Sequence, residues 1–482
     1  MPHAVPRFLL LGKKPLAACV AAVFGLAAPA AMSVPLTFDP GIVTSCDDSS
    51  SASITVGTLR YAALHVASGG TIDLSSLPGS DPGCTNSTIS LQLGAVFLTQ
   101  ADVTIKGPGR SQLTINAAQQ DRVLYHLSGG TLTVQDVSIA GGYSSQAHGG
   151  CIYSPANVVL EHVDVSACQV VHDGAQGGAV YAGGSLDIEY SSLVSSTVDG
   201  VSGTSYGGGA YARNGFIARY STISGNHADG AYGSGGGAFV TGTITILGST
   251  ISGNTSTRLD GGIGAYAADG SVLTITNSTI SGNHSDFING GIYMNAASSS
   301  SASAEINNST IAFNTATSGK ANYYQAAGLG VGAYRGSLAV TLRSSVISNN
   351  TYGAGIESDL TAAYLNADPN KHVTFSANSI ANIVLATDAA AAALLPVAPS
   401  QACPLLGPLR DNGGLTQTHA LLSNSPAIDA GDDTAGGNYD QRGSAIANGL
   451  LDYLRNSPVL PDIGAYEVQY DEIVFNAGFD GC

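Results

Sequence analysis

A six-residue motif recurs along the middle of the chain at a constant distance from a second motif. It reads Ser221-Thr222-Ile223-Ser224-Gly225-Asn226 and returns almost unchanged at 249–254 and 278–283. The second motif is a glycine-rich pentad, whose closing aromatic residue, Tyr211 or Phe239, lies 15 residues before the asparagine of the next hexad. Two motifs in constant register indicate a coil of constant perimeter.

The spacing of the pentad sets the size of one coil. Its copies are 149–153, 177–181, 207–211, 235–239, 262–266, 289–293 and 330–334. Their aromatic residues follow one another at steps of 27 to 30, until a last step of 41 that carries a serine-rich insertion at 296–304. A coil of this size with three short strands is typical of a right-handed parallel β-helix, which is all-β.

Stacked coils place equivalent residues in columns. We predict an inward column of isoleucines and a column of asparagines at a turn, because asparagine tolerates left-handed backbone and stacked amides can bond along the axis. The predicted columns are Ile223, Ile251, Ile280, Ile311 and Ile347, and Asn226, Asn254, Asn283, Asn314 and Asn350. The same offset puts Cys168 and Ser196 in the asparagine position of earlier coils.

The sequence divides into four predicted regions. They are a signal peptide at 1–30, an N-terminal cap at 31–87, the β-helix at 88–387, and a C-terminal cap with a tail at 388–482. Arg7, Lys13 and Lys14 precede an apolar run, as in a cleaved export signal. The alternative is a lipoprotein signal with Cys19 as the acylated cysteine. No later run of 18 apolar residues predicts a membrane-spanning helix.

One helix is expected in the N-terminal cap. Leu59, Ala62, Ala63 and Val66 fall on one helical face, and Gly69-Gly70 follows as a stop signal. An amphipathic helix at this point covers the open first coil of a solenoid, where unpaired backbone would otherwise invite aggregation.

The net charge and the cysteines limit the ligands and partners that this chain is expected to bind. The net charge is −17 and no basic run exists, which argues against nucleic-acid binding. Six cysteines follow the signal, and 15 pairings are open to them. Their order favours Cys46–Cys84, Cys151–Cys168 and Cys403–Cys482. Their spacing does not match a zinc site, so we expect neither a metal nor a cofactor.

Candidate chemical groups are sparse in the repeats. Polysaccharide lyases and hydrolases on β-helices need clustered carboxylates, and the acids here do not recur at one offset. Asp260 beside Arg258 is the strongest local candidate, although solvated loop residues are the favoured interpretation. Asp187 and Glu189 alternate on one strand and could bind calcium, but a plain polar face is favoured. No catalytic residue is predicted.

The pentad aromatics and the residues around Arg442 can each be interpreted in two ways. The pentad aromatics could line a sugar-binding groove or stack as a structural column, and the phenylalanine at 239 favours the column. Near the C-terminus, Arg442 could belong to a metal loop or to a cap, in which it pairs with Asp429 or Asp462 over the last coil. The cap is favoured.

Several motifs together resemble a bacterial family. Gly57-Thr58-Leu59-Arg60-Tyr61-Ala62-Ala63 resembles a CSLREA-type N-terminal segment, and the repeats resemble those of polymorphic outer-membrane proteins. The tail is similar to a choice-of-anchor Q domain in the motifs at 411–414, 425–431, 440–443 and 462–467. The resemblance implies a secreted or surface-held β-helix of unassigned molecular activity.

The resulting hypothesis is an exported, non-catalytic surface or secreted protein of adhesive or glycan-binding character. Its expected location is extracellular or on the bacterial cell surface, in association with the outer membrane. Its expected partner is a polysaccharide or a host or cell-surface ligand. The alternative is a polysaccharide lyase or glycoside hydrolase on the same scaffold.

Overall fold

The computed structural model describes residues 39–48, 54–296, 300–317, 326–333, 336–364, 372–435, 438–443, 453–455 and 460–469. The chain divides into the units Met1–Asp39 and Pro40–Cys482, and the coil belongs to the second. The predicted signal at 1–30 lies outside the described residues. None of the described helices is long and apolar enough to cross a membrane.

The second unit is a parallel β-helix, which confirms the predicted fold class. Each full coil passes through four sheets, numbered here 1 to 4 in chain order, and the strands of each sheet stack in parallel on those of neighbouring coils. The expected count of three strands per coil is therefore wrong. The reason is a tight turn at the asparagine column, which separates sheet 2 from the short strands of sheet 3.

The strands of sheet 1 are Gly70–Asp73, Val103–Lys106, Thr131–Gln135, Asn157–Glu161, Ser185–Glu189, Gly215–Arg219, Thr243–Leu247, Val272–Thr276, Ser301–Asn307, Ser337–Arg343 and Val373–Phe375. Those of sheet 2 are Thr88–Ser90, Thr114–Asn116, Ser138–Ala140, Asp164–Ser166, Ser192–Val194, Thr222–Ser224, Thr250–Ser252, Thr279–Ser281, Thr310–Ala312, Val346–Ser348 and Ile383–Val384.

The strands of sheet 3 are Tyr143–Ser144, Gln169–Val171, Thr197–Asp199, His227–Asp229, Thr255–Ser256, His284–Ser285, Thr315–Ala316, Thr351–Tyr352 and the antiparallel Ile356–Glu357. Those of sheet 4 are Val96–Leu98, Leu124–His126, Ile152–Ser154, Val180–Ala182, Ala210–Ala212, Ala238–Val240, Ile263–Ala267, Ile292–Ala296, Leu329–Ala333 and Leu360–Tyr364. A small parallel sheet contains Ala175–Gln176, Thr204–Tyr206 and Tyr232–Ser234, and a hairpin joins Leu406–Arg410 to Thr418–Leu421.

Both predicted columns are present. The five isoleucines pair in register in sheet 2 and are at most 1% exposed. The five asparagines are fully buried, and each amide nitrogen from Asn226 to Asn314 donates to the amide oxygen of the next asparagine at 2.8–2.9 Å. Cys168 and Ser196 begin this column, because each donates its backbone N–H to the side chain above it.

The N-terminal cap contains the expected helix, α1 (Leu59–His65). Thr58 caps its N-terminus by accepting from the Tyr61 N–H, and Leu59, Ala62 and Ala63 are buried. Gln100, from the first coil, donates its side-chain amide to two carbonyls at the end of the helix, those of Ala63 and Val66. The helix is thus bonded to the coil that it covers.

The disulfides Cys46–Cys84 and Cys151–Cys168 form as predicted. Cys403 is also disulfide-bonded. Cys482, its predicted partner, lies outside the described residues.

The pentad predicted at 262–266 lies two residues away from the observed register, and the pentad predicted at 330–334 lies four residues away. Ala238 pairs with Ile263, which pairs with Ile292 and then with Leu329, so that Gly264 and Gly330 stand in the aromatic position. In the coil of Ile263, Asp260 occupies the left-handed place of the first pentad glycine, with φ 58°. Aspartate can adopt this conformation, and the pattern of glycines therefore misplaced the register.

The C-terminal region begins with a helix that packs on the last coil and continues as a cover on the side of the coil, which was not predicted. A short helix, α2 (Ala389–Leu394), packs on the strands Leu360–Tyr364 and Val373–Phe375. The segments that follow, 405–435, 438–443, 453–455 and 460–469, are called the strap here. The strap lies along the outer face of sheet 2 because outward threonines offer it hydrogen bonds. Thr250, for example, donates to the Gln417 carbonyl at 2.6 Å.

Arg442 holds the strap together with a partner that the sequence did not predict. It is fully buried and pairs with Asp440 at 2.8 Å, between the rings of Tyr453 and Tyr466. Asp462 accepts the backbone N–H groups of Asp429 and Val468 instead. The prediction that Arg442 pairs with Asp429 or Asp462 is therefore wrong. Asp440 is only two residues from Arg442 in the sequence, and it accepts the backbone N–H of Arg442 as well as its guanidinium.

Candidate functional site

One acid of the pair predicted on sheet 1 forms an ion pair with an arginine of the neighbouring coil. Asp187 and Glu189 lie on the outer face, where Glu189 stands opposite Arg219 in register. The Arg219 guanidinium donates to both carboxylate oxygens of Asp187, at 3.0 and 3.2 Å. An acid that already has a cation offers less to calcium, and this arrangement fits a polar strand face.

Arg258 and Asp260 are not brought together as one site. The Arg258 guanidinium lies over the rings of Tyr232, at 4.3 Å, and Phe287, at 5.2 Å. Asp260 points inward and is fully buried, so its interpretation as a solvated loop residue is wrong. It accepts from Ser234 and Asn289, and burial raises the pKa of its carboxyl to about 7.

The pentad aromatics form a continuous stack on the outer face of sheet 4. The stack runs through Phe97, Tyr125, Tyr153, Tyr181, Tyr211 and Phe239, with ring centroids 4.9–5.9 Å apart. Its later members are covered, since Tyr211 and Phe239 are each 8% exposed. Its first members are open: Phe97 is 47% exposed, and Tyr125, Tyr153 and Tyr181 are half-buried.

These four open rings, Phe97, Tyr125, Tyr153 and Tyr181, are called the aromatic platform here. Tyr125 packs edge-on against Tyr153, whereas Tyr153 and Tyr181 stack within 7° of parallel. The platform therefore presents one aromatic ring per coil. Both interpretations of the aromatics therefore apply. The covered rings form a structural column, and the open rings are accessible to a ligand.

A polar depression of about 340 Å³ adjoins the open end of the platform. Its lining includes Phe97, Tyr125, Asp121 and Arg122, with Gln120, Tyr143, Ser144, Ser145 and Gln146 around them. The Arg122 guanidinium carbon lies 4.8 Å from the Tyr125 ring centroid and 5.8 Å from that of Tyr153. Aromatic surface beside a few converging polar groups is the usual composition of a small-molecule site.

His148 completes one side of this region. Its ring stacks on Tyr181 at 4.7 Å, and its carbonyl accepts from Arg122 Nε at 3.0 Å. Burial, aided by the charge of Arg122, lowers the pKa of the imidazole. His148 is therefore neutral at pH 7, and Arg122 carries the positive charge of the region.

The register of sheet 4 shows how the sequence could have revealed this site. Leu124 and Tyr125 pair with Ile152 and Tyr153, so that 121–125 is a pentad in which Asp121 and Arg122 replace both glycines. Phe97, Tyr125 and Tyr153 follow one another at steps of 28 residues. The aromatic spacing thus begins two coils before the glycines, and a search for glycine missed it.

A second aromatic stack lies on another edge of the coil and was also missed. His162, Tyr190 and Tyr220 stack at 5.1 and 5.3 Å from turns with positive φ between sheets 1 and 2. A side chain at Gly248 in the next coil would meet the Tyr220 ring. None of its three rings lines the depression beside the platform.

A metal centre finds no support in the part of the chain that the structure describes. The one group of potential ligands there is Cys46, Asp81 and Cys84, and its two cysteines are disulfide-bonded to each other. Asp81 accepts from Ser45 and from the Cys46 N–H.

Comparison with known proteins adds little to this geometry. No family model matches the sequence, and no curated protein matches it. A solved structure, the crystal structure of pectate lyase Pel9A, is similar with a TM-score of 0.40 and 14% sequence identity, over 89% of this chain and 96% of that one. A likeness this weak carries no information about the chemistry of this chain.

Proposed function

We propose that this chain is an exported, non-catalytic glycan-binding protein and that the aromatic platform with its depression is the binding surface. The observation that carries the proposal is an open row of aromatic rings whose two middle members, Tyr125 and Tyr153, pack on a buried arginine, Arg122. The apolar faces of sugar rings pack on aromatic side chains, while their hydroxyls need polar partners of the kind that Asp121, Arg122 and Gln146 supply.

The repeat of the platform suits a chain-like ligand. Its rings are spaced by the coil at 4.9–5.4 Å, so equivalent contacts recur along the axis. A polysaccharide laid along sheet 4 would meet the same surface with each successive sugar. Adhesion through such a ligand and a location outside the cell are part of the proposal, which for export draws on the signal-like N-terminus alone.

Binding is favoured over the alternative of a lyase or hydrolase by the carboxylates at the site. Of the described residues that line the depression, Asp121 is the sole acid. Its oxygens accept the backbone N–H groups of Ala95 and Arg122, at 3.0 and 2.7 Å. Hydrolysis of a glycosidic bond by acid–base catalysis requires a second group converging on the same bond, and a metal-dependent lyase requires clustered carboxylates.

The test is a glycan-binding screen followed by calorimetry on Tyr125→Ala. Removing a central ring should weaken the best ligand by ~10-fold or more, as for truncation of a binding hot spot. Tyr190→Ala removes a ring from the second stack and is the matched control, which should bind as the wild type does. Melting temperatures of both variants separate lost contact from lost folding.

Three outcomes would contradict the proposal. The first is a soluble, folded protein that binds no glycan in the screen, and the second is a Tyr125→Ala variant with unchanged affinity. The third is turnover: release of reducing ends or unsaturated products from pectin, alginate or a similar polymer by the wild type would establish the enzymatic alternative.

A further inference from the structure

Arg122 is a buried cation without a carboxylate partner. It is 7% exposed. The other two buried arginines of the described chain each pair with an acid, Arg442 with Asp440 and Arg455 with Glu467, and the partly buried Arg60 pairs with Asp48. For Arg122, no carboxylate oxygen of the described residues lies within ion-pair distance. A buried charge is costly unless it is paired, so this exception calls for a counter-ion from elsewhere.

The guanidinium is held in one orientation. Its Nε donates to the His148 carbonyl at 3.0 Å, and its plane is packed against the rings of Tyr125 and Tyr153. Neither Nη nitrogen has an acceptor among the described residues, and neither is sealed from solvent. Two adjacent donors of fixed geometry are therefore directed at the depression beside the platform.

The neighbouring acid, Asp121, already accepts hydrogen bonds from the backbone. Asp121 accepts from its own chain at the N–H groups of Ala95 and Arg122, so its charge lowers the local cost of the cation without pairing with it. Burial nevertheless lowers the pKa of Arg122, which shows that desolvation outweighs the help from Asp121 and the tyrosines. An anionic group of the ligand could therefore pair with Arg122, whose guanidinium is already held in place and has no carboxylate partner.

We infer that Arg122 binds the carboxylate of an acidic sugar, so that the ligand of the platform is a glycan containing uronic acid. The inference rests on the proposed function and names its ligand class. A planar carboxylate matches the two Nη donors in a bidentate pair, which is the strong form of this contact. The sugar ring that bears the carboxylate would lie on Tyr125 or Phe97.

The net charge of the chain limits how acidic the glycan is. At −17 the protein repels a densely charged polyanion at long range, and the lining of the depression contains one arginine. The ligand that fits is therefore a mostly neutral chain with isolated uronate residues, one of which pairs with Arg122.

A matched pair of probes tests this directly. One is a xylotetraose that carries a single glucuronate, and the other is the same molecule with its carboxylate reduced to the primary alcohol. Calorimetry on the wild type should show ~10- to 100-fold tighter binding of the acidic probe, the range of a hydrogen-bonded charge pair. Arg122→Met should bind both probes with the affinity of the reduced one, and Arg122→Lys should retain part of the preference.

The controls keep the outcomes distinct. Arg258→Met removes another arginine that is stacked on aromatic rings and should leave both affinities unchanged. Arg122→Met removes an unpaired buried charge, so its melting temperature should not fall. Equal binding of the two probes by the wild type, or a preference retained by Arg122→Met, overturns the inference and leaves the glycan platform standing. If neither probe binds, the inference is also overturned, and the glycan screen decides separately on the platform.

Discussion

At the scale of single residues, the asparagine column shows how one side chain joins three coils. Asn283 accepts from the N–H and the amide of Asn254, and its own amide donates to Asn314 and to the Ile251 carbonyl. The side-chain donors and the side-chain acceptor of Asn283 are thereby satisfied, as a buried polar group requires. The column ends at Asp359, whose carboxylate oxygen accepts the N–H and the amide of Asn350.

Replacing one member of this column should destabilise the coil strongly. Asn283→Ala leaves the Asn254 donors and the Ile251 carbonyl unpaired and opens a cavity, so we expect a loss of about 3 kcal/mol in the free energy of unfolding. Asn283→Ser should lose less, because Ser196 fills the same position in an earlier coil. Denaturant unfolding followed by circular dichroism measures both. A loss below about 1 kcal/mol for the alanine variant would mean that the column contributes little.

At the scale of elements, the strap depends on a few side chains that reach the coil. Gln441 accepts from Thr279 and donates to Thr250, at 2.5 and 2.9 Å. It also donates to Thr416 of the strap at 2.9 Å. Thr222, a coil earlier, is half-buried, whereas Thr250 and Thr279 are fully buried. The strap is therefore what converts outward threonines into buried ones.

Gln441→Ala should loosen the strap while the coil persists. The change leaves three buried hydroxyls without their shared partner, and sheet 2 retains its own backbone ladder. Hydrogen–deuterium exchange should rise in 416–421 and 438–443 and remain unchanged in sheets 1 and 4. Gln119→Ala, at a coil turn far from the strap, is the control. Uniform exchange across the whole chain in Gln441→Ala would instead show that strap and coil unfold together.

At the scale of the whole molecule, several buried carboxyls make stability depend on pH. Burial raises the pKa of Asp260 and of Asp359 to about 7, of Asp462 to about 6 and of Glu467 to about 8. In each case the folded state binds protons more tightly than the unfolded state. Their contribution to stability is present below pH ~4 and is lost as the pH rises to about 8.

Two histidines act in the opposite direction. Burial lowers the pKa of His419 to about 4 and lowers that of His148 from its usual value, so their contribution falls as the pH drops below ~6.5. Because the carboxyls with a raised pKa outnumber these histidines, we expect the melting temperature to decrease between pH 5 and pH 8.5. Asp260→Asn should show a smaller decrease, and Glu305→Gln, at an exposed acid, should match the wild type. A melting temperature that rises over this range would contradict the linkage.

The repeating parts of this protein could be predicted from the sequence because they depend on local register. A motif that recurs after each coil of constant length stacks Ile223 on Ile251 and Asn226 on Asn254, and this stacking does not depend on the rest of the chain. The helix Leu59–His65 and the pairing of Cys151 with Cys168 follow in the same way, from neighbouring residues. The fold class, both columns and two disulfides needed no information from distant segments.

Only the tertiary structure decided which surfaces are covered and which charges lack partners. The strap meets sheet 2 across 167 residues of sequence at Thr250 and Gln417, a distance at which no periodicity operates. Arg122 reads as an ordinary surface arginine until its burial and the commitment of Asp121 to the backbone are seen. The burial of a residue depends on distant segments that pack against it, whereas a repeating sequence pattern contains information only about its neighbours in the coil.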